Sequence, residues 1–184
     1  MGAVAAAAAA FGAVDTTQTE WPKTLANVAL IGLGTAIAGL LTEEGFFRGW
    51  LWGSLRSRGL DRRTTLLATS LAFAAWHVSP VVLETVFAMP AGQVPVYLVN
   101  VVAIGAVWGM LRMISGSILV ASVSHGLWNG LAYGLFGFGE TEGALGIAST
   151  SVFLPENGFI GLGLNILFAI ALWRFRGRAA VEAA

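Results

Sequence analysis

The chain has 184 residues, 57% of them hydrophobic and 11% charged, with a mean hydropathy of +0.77, a composition that describes one integral membrane domain and excludes an ordinary water-soluble fold. Lys plus Arg and Asp plus Glu each total 10, so no net charge offers a surface to nucleic acid, and the expected partners are the lipid bilayer and an apolar ligand. Cysteine is absent, which removes disulfides, thiolate catalysis and cysteine-ligated zinc.

Residues 1 to 14, MGAVAAAAAAFGAV, lack the basic start of a signal peptide and are short for a span; a frayed helix or a partial sixth span is expected. Residues 15 to 23 form a polar linker in which Trp21 suits an interface and Pro22 the first turn of a helix. The first full helix is expected from about Thr24 to Leu55. At 1.5 Å per residue it reaches ~48 Å, more than the ~30 Å hydrocarbon core, so its end must project or tilt. It stops at RSRGLDRR, whose Arg56, Arg58, Arg62 and Arg63 place that loop in the cytoplasm by the positive-inside rule. A second apolar stretch runs from Thr64 to about Met89, with Pro80 expected to kink or divide it just after His77. A third runs from Val96 to about Ile114. A fourth, Ser117 to about Phe136, exits into a Gly-rich loop carrying Glu140, Glu142 and Glu156 with no basic residue, expected outside. The fifth, Gly158 to Trp173, ends in Arg174, Arg176 and Arg178 and returns to the cytoplasm.

The expected fold is therefore all-α, a polytopic transmembrane helical bundle of about five spans in the plasma membrane. Residues 1–23 are its start and linker, 24–178 the membrane domain and 179–184 a tail. Three GxxxG pairs, Gly45/Gly49, Gly105/Gly109 and Gly126/Gly130, are candidates for close helix crossings.

Within the first span stand Glu43, Glu44 and Arg48. Charges at that depth cost at least a few kcal/mol, so they usually face a bundle interior or wet cavity and mark a functional path. Glu44 and Arg48 are i, i+4 with the acid first, the favourable order for a pair. Glu43 has no partner in sequence. The chain holds only two histidines, and both lie in spans: His77, with Phe73 one turn before it, and His125, with Asn129 one turn after it and Ser122 on the same face. Counted from the helix ends, Glu43, His77 and Asn129 each lie ~20 Å in, with His125 a turn shallower. The polar groups are expected to meet in one layer.

A carboxylate beside an imidazole in a dry pocket can hold a water and take its proton, and an imidazole N–H with an amide N–H one turn away can both donate to a developing oxyanion. No hydroxyl or thiol nucleophile stands in a recognisable motif. Direct attack by water on a peptide bond is the reaction these groups support. Glu43, His77 and His125 can also be read as a His₂Glu zinc site with an open position. Against zinc stand the lack of an HExxH pair and of further carboxylates to hold the ligands; Glu84 is the only other acid expected within the spans.

Glu43-Glu44-x-x-x-Arg48, Phe73-x-x-x-His77 and His125-x-x-x-Asn129, in that order and each on its own span, resemble the CPBP family of intramembrane proteases, which includes the CAAX prenyl endopeptidases and bacteriocin-processing or self-immunity proteins. The resemblance covers about residues 24 to 175. It implies that Glu43 and His77 activate water, that His125 and Asn129 stabilise the oxyanion, and that Glu44 and Arg48 brace the first helix. It implies an apolar or lipid-modified peptide or membrane-protein substrate. CAAX endopeptidases commonly have more helices upstream of the first motif than this chain does. Two other readings of the same residues are a non-catalytic membrane protein of the immunity or scaffold kind, and a proton or ion pathway along Glu43 and the histidines.

Overall fold

The computed structural model describes residues 1–83, 89–139 and 141–182, and among these nearly all the order is helical. The apolar runs form eight helices: α1 (Gly2–Ala10), α2 (Trp21–Leu41), α3 (Trp52–Ser57), α4 (Arg62–Trp76), α5 (Val78–Leu83), α6 (Val94–Ser115), α7 (Ile118–Leu131) and α8 (Phe159–Glu182). Pro22 sits in the first turn of α2, where its missing N–H costs nothing. Asp61 caps α4, accepting from the backbone N–H groups of Arg63 (2.7 Å) and Thr64 (3.1 Å). Hydrogen bonds from the Thr64 hydroxyl and these N–H groups hold its carboxyl below the usual carboxylate range. Gly116, at φ +71°, closes α6 in the left-handed region that glycine adopts without strain, and Ser117 then caps α7.

The expected first helix is real but not regular. Between α2 and α3 the chain passes through a π-helical stretch, Gly45–Leu51, so the two helices form one 37-residue span, Trp21–Ser57, with a widened middle. The second stretch is divided as its proline suggests: α4 ends at Trp76, His77 caps it, and Pro80 lies in α5. Residues 84–88, with Glu84, fall outside the described residues, as does Glu140. Trp21–Ser57 and Ala91–Ser115 are both long and apolar enough to cross a membrane, and Phe159–Phe175 is a shorter apolar helix.

α6 is the axis of the bundle. It packs against α4, α7 and α8, and it buries Tyr97, Val101, Ile104, Trp108 and Met110 against Phe47, Trp52, Leu66 and Phe73. α2 lies against α7. The outer faces of α2, α4, α7 and α8 stay apolar, with Leu30, Leu33, Leu67, Leu71, Leu127 and Leu167 all more than half exposed, as lipid-facing helices require. The N-terminal residues are no frayed end. Val4 and Ala8 on α1 are buried with Phe136, Ile147 and Leu154 in a second apolar cluster. Beyond α7 a second π-helical turn, Ala132–Phe136, leads into a two-residue hairpin pairing Gly137–Phe138 with Thr141–Glu142. The loop then folds back and is held by the linker, Asp15 N–H donating to Leu145 O (2.9 Å) and Thr19 Oγ1 to Ala144 O (2.5 Å).

Of the three GxxxG pairs, Gly126/Gly130 is the true close crossing. A Cβ at Gly126 would stand 2.3 Å from Gly32 O and 2.7 Å from Ala36 Cβ, and one at Gly130 2.5 Å from Val28 O, so α7 and α2 touch backbone to backbone. Gly45 and Gly49 instead fall in the π-helical stretch and make no such crossing. Gly126→Val is therefore expected to lower stability by ~1–3 kcal/mol or more through overpacking, while Gly34→Ala, where a Cβ meets nothing within 4 Å, is neutral or slightly stabilising. Thermal unfolding in detergent micelles reads both, and equal midpoints for the two variants would refute the tight crossing.

Candidate active site

The site begins where α2 loses its regularity. Thr42, at φ −114° and ψ −86°, departs from helical geometry while its hydroxyl donates back to Ala38 O at 2.7 Å. Glu43 and Glu44 follow, and neighbouring residues on a helix point ~100° apart. They consequently enter different surroundings. Glu44 turns into the protein and is fully buried. Glu43 is half-buried and lines a cavity of about 160 Å³ together with Phe73, His77, His125, Asn129 and Glu156. The three sequence motifs thus converge on one small space from the end of α2, the end of α4 and the middle of α7. Among the described residues Glu43 has no ion-pair partner, and its Oε2 is buried without a hydrogen bond.

Arg48 explains why an arginine can lie inside the bundle with no exposed surface. Its Nη1 donates to Glu44 Oε1 at 3.2 Å and its Nη2 to Gly105 O at 2.9 Å, and its guanidinium carbon stands 4.3 Å from the centre of the Phe73 ring. Gly105 leaves room here: a Cβ would come to 3.2 Å from Nη2 and 3.3 Å from the Phe73 ring, so one of them would have to give by a few tenths of an ångström. Widening of the helix to π geometry changes which carbonyls are satisfied within it, and the Arg48 carbonyl is met from outside by Arg112 Nε at 3.2 Å.

Both histidines are held through Nδ1. His125 Nδ1–H donates to Glu44 Oε1 at 3.1 Å, and its ring stacks on Trp108 at 3.8 Å and 20°. His77 Nδ1–H donates to Phe73 O at 2.8 Å, and the Phe73 ring lies 4.3 Å from it. In each case Nε2 is the ring atom left for other chemistry. The spacing of Phe73 and His77 therefore acts through the backbone as well as through the ring. Ser122, on the same helical face as His125, does not join the cavity lining; its hydroxyl donates to Ala36 O at 2.5 Å and ties α7 to α2.

Glu156, which the sequence places in an outer loop, also lines the cavity. Asn100 on α6 donates from Nδ2 to Pro155 O and Glu156 O, both at 2.8 Å, and Asn165 on α8 donates to Asn100 Oδ1 (2.9 Å) and Pro155 O (3.1 Å). This pair of buried amides draws the loop inward, and Trp128 Nε1 donates to Glu156 Oε1 at 3.3 Å. The available signal was the pair of asparagines: amides inside apolar spans need partners.

Among the described residues no three His, Cys, Asp or Glu side chains are grouped so as to hold a metal ion. Glu43, His77 and His125, the alternative zinc set, line the same cavity.

With this geometry in hand, the comparisons with known proteins are specific in one respect. The family model described as type II CAAX prenyl endopeptidase Rce1-like matches residues 24–131, more than half of the chain. The matched stretch includes Glu43, Glu44, Arg48, Phe73, His77, His125 and Asn129 and ends before Glu156. No curated protein and no solved structure matches.

Glu44→Gln leaves Arg48 buried without its counter-charge and removes the carboxylate that accepts from His125. Breaking a buried pair from one side typically costs ~3–5 kcal/mol, whereas replacing both members by apolar groups is often nearly neutral. Unfolding in detergent should show a large loss for Glu44→Gln and substantial recovery for Glu44→Leu with Arg48→Met. An unchanged midpoint in the single variant would mean that the pair contributes nothing.

Proposed function

The chain belongs to the Rce1-like family of type II CAAX prenyl endopeptidases, and from that premise we propose that it is a multi-pass intramembrane endopeptidase that hydrolyses an apolar or lipid-modified peptide by direct attack of water. The observation that carries this reading is the shared cavity, in which an unpaired carboxylate, two imidazoles and a primary amide line one space with room for only a few waters.

Glu43 is the general base. Its lack of a cationic partner leaves a carboxylate free to take a proton from a water held against His77 Nε2, the ring nitrogen that the Phe73 carbonyl leaves unengaged. The water oxygen attacks the peptide carbonyl as the proton passes to Glu43. Negative charge then develops on the carbonyl oxygen. Asn129, whose amide carries two N–H groups, and His125 are the donors that meet it. His125 commits Nδ1–H to Glu44, so donation from Nε2 uses the doubly protonated ring, with the Glu44 carboxylate as its counter-ion. Glu44 is thus a positioning residue for the oxyanion site as well as the partner of Arg48. Collapse of the intermediate breaks the C–N bond, and the amine departs once protonated. No metal takes part in this scheme.

Support for a common cytoplasmic end comes from Arg63 at the start of α4, whose guanidinium lies 5.5 Å from the Trp173 ring near the end of the apolar part of α8. The basic loop and the start of the basic C-terminal segment therefore lie near one another at one end of the bundle, which supports placing both on the cytoplasmic side.

Glu43→Gln keeps the shape of the side chain and loses the base. It is expected to abolish cleavage of a farnesylated fluorogenic peptide while the protein inserts and purifies as wild type. Asn129→Ala should lower kcat by about 10²–10³-fold with a smaller change in KM, as removal of one preorganised donor does, and Asn129→Asp at least as much. Near-normal turnover in any of these variants overturns the assigned role. Elemental analysis with a chelator titration is the companion test: stoichiometric zinc whose removal stops cleavage and whose return restores it would make Glu43, His77 and His125 ligands instead.

The topology is tested by single cysteines at the exposed positions Ser57 and Ser149. In intact cells an impermeant thiol reagent should label Ser149→Cys and spare Ser57→Cys. The reverse pattern would invert the arrangement.

A further inference from the structure

Glu156 is a carboxyl that the mechanism above does not use, although it lines the same cavity as Glu43, His77, His125 and Asn129. Its position is built. Asn100 and Asn165, both buried, hold the Pro155 and Glu156 carbonyls from two helices, and Trp128 Nε1 donates to Oε1, which leaves the other carboxyl oxygen to carry a proton. Among the described residues it has no ion-pair partner. It also lines a second cavity of about 320 Å³, toward the hairpin and the folded-back loop, whose other walls include Phe136, Glu142 and Asn157. Tyr97 and Glu156 are common to both cavities and form their junction.

Resting on the endopeptidase reading, we propose that Glu156 is a second catalytic carboxyl: the general acid that protonates the leaving amine, with the amine side of the substrate lying in the outer cavity. The protons balance. Water gives one proton to Glu43 as its oxygen bonds to the carbonyl carbon. The C–N bond then breaks, its electron pair stays on nitrogen, and nitrogen takes the proton of Glu156. The products are a carboxylic acid and an amine, and the proton on Glu43 returns to Glu156 across the cavity, which resets both groups. Two carboxyls in different surroundings can hold opposite roles, one ionised and one protonated.

The chemistry of the site favours the protonated form of Glu156. Burial raises its carboxyl to about 7, against the opposing influence of the Trp128 N–H and then of His125. The titratable groups that share its two cavities are His125 on α7, Tyr133 just beyond α7, Tyr97 on α6, Glu43 after α2, His77 at the end of α4 and Glu142 on the hairpin. The acid form predominates below about pH 7 and is lost as pH rises through that value. Cleavage of an amide should therefore fall on the alkaline side.

The test compares a farnesylated fluorogenic peptide with its depsipeptide analogue, which has an ester at the scissile bond and a leaving group that needs less proton assistance. Glu156→Gln still accepts from Trp128 but cannot give a proton. It should lower kcat for the peptide by about 10²-fold or more, change KM little, make the alkaline limb of the peptide profile coincide with that of the ester, which keeps only what His125 contributes, and leave ester turnover within a few-fold of wild type. Trp128→Phe deletes the N–H that favours the ionised carboxyl, and it should move the alkaline limb to higher pH. Equal losses on peptide and ester would make Glu156 a structural residue, and an unchanged peptide rate and pH profile would also overturn its role as an acid. Activity in wild type that survives Glu43→Gln would instead sink the endopeptidase reading itself, as would a wild type that cleaves neither compound.

Discussion

One oxygen atom holds the structure's polar interior together. Glu44 Oε1 accepts from Arg48 Nη1 and from His125 Nδ1, so a single buried carboxylate ties the π-helical middle of the first span to α7. Burying these groups costs several kcal/mol per charge, and mutual attraction offsets that only where geometry and further hydrogen bonds are good. The compensation is visible: the Gly105 carbonyl takes one arm of the guanidinium, Phe73 lies beneath it and Trp108 covers the His125 ring. It is also incomplete. Glu44 Oε2 and Arg48 Nε have no hydrogen-bond partner. A network at that limit holds few alternative arrangements, and it fixes the orientation of His125 more firmly than packing alone would.

That constraint separates the surroundings of the two adjacent glutamates. Glu44, committed to Arg48 and His125, holds the site in register, while Glu43, ~100° round the helix, is released into the cavity without a counter-charge. The arrangement needs close packing around it. Gly126 and Gly130 let α7 lie against α2, which brings the His125 face to the end of the first span, and Gly105 admits Arg48 beside α6. The polar layer around the cavity is thus assembled by close approaches at glycine, and it stands on helices rather than on loops.

The loop between α7 and α8 works differently. It has little regular structure, yet the linker, α1 and two buried asparagines anchor it at several points. The result is a cavity closed partly by helices and partly by returned chain, with one carboxyl contributed from each. Hydrolysis in an apolar layer needs water admitted and held in small number, and a cavity of about 160 Å³ lined by polar groups on several sides suits that need.

Composition and period were enough to establish the helical character, and the three motifs were enough to select Glu43, Glu44, Arg48, Phe73, His77, His125 and Asn129, because a charge or imidazole within an apolar run is too costly to be incidental. The common depth of Glu43, His77 and Asn129 followed from residue counts, since rise per residue is fixed in a helix. What no count along the chain could supply was azimuth and long-range pairing. Whether Glu44 met only Arg48 or also His125, 81 residues away, depended on how α2 and α7 rotate against each other. Ser122 shares a face with His125 in sequence, yet meets Ala36 because the crossing at Gly126 brings α2 there first. Glu156 was hidden for the same reason: an acid in a Gly-rich loop reads as solvent-exposed, and only the tertiary contacts of Asn100 and Asn165, from two other helices, bring it into the cavity.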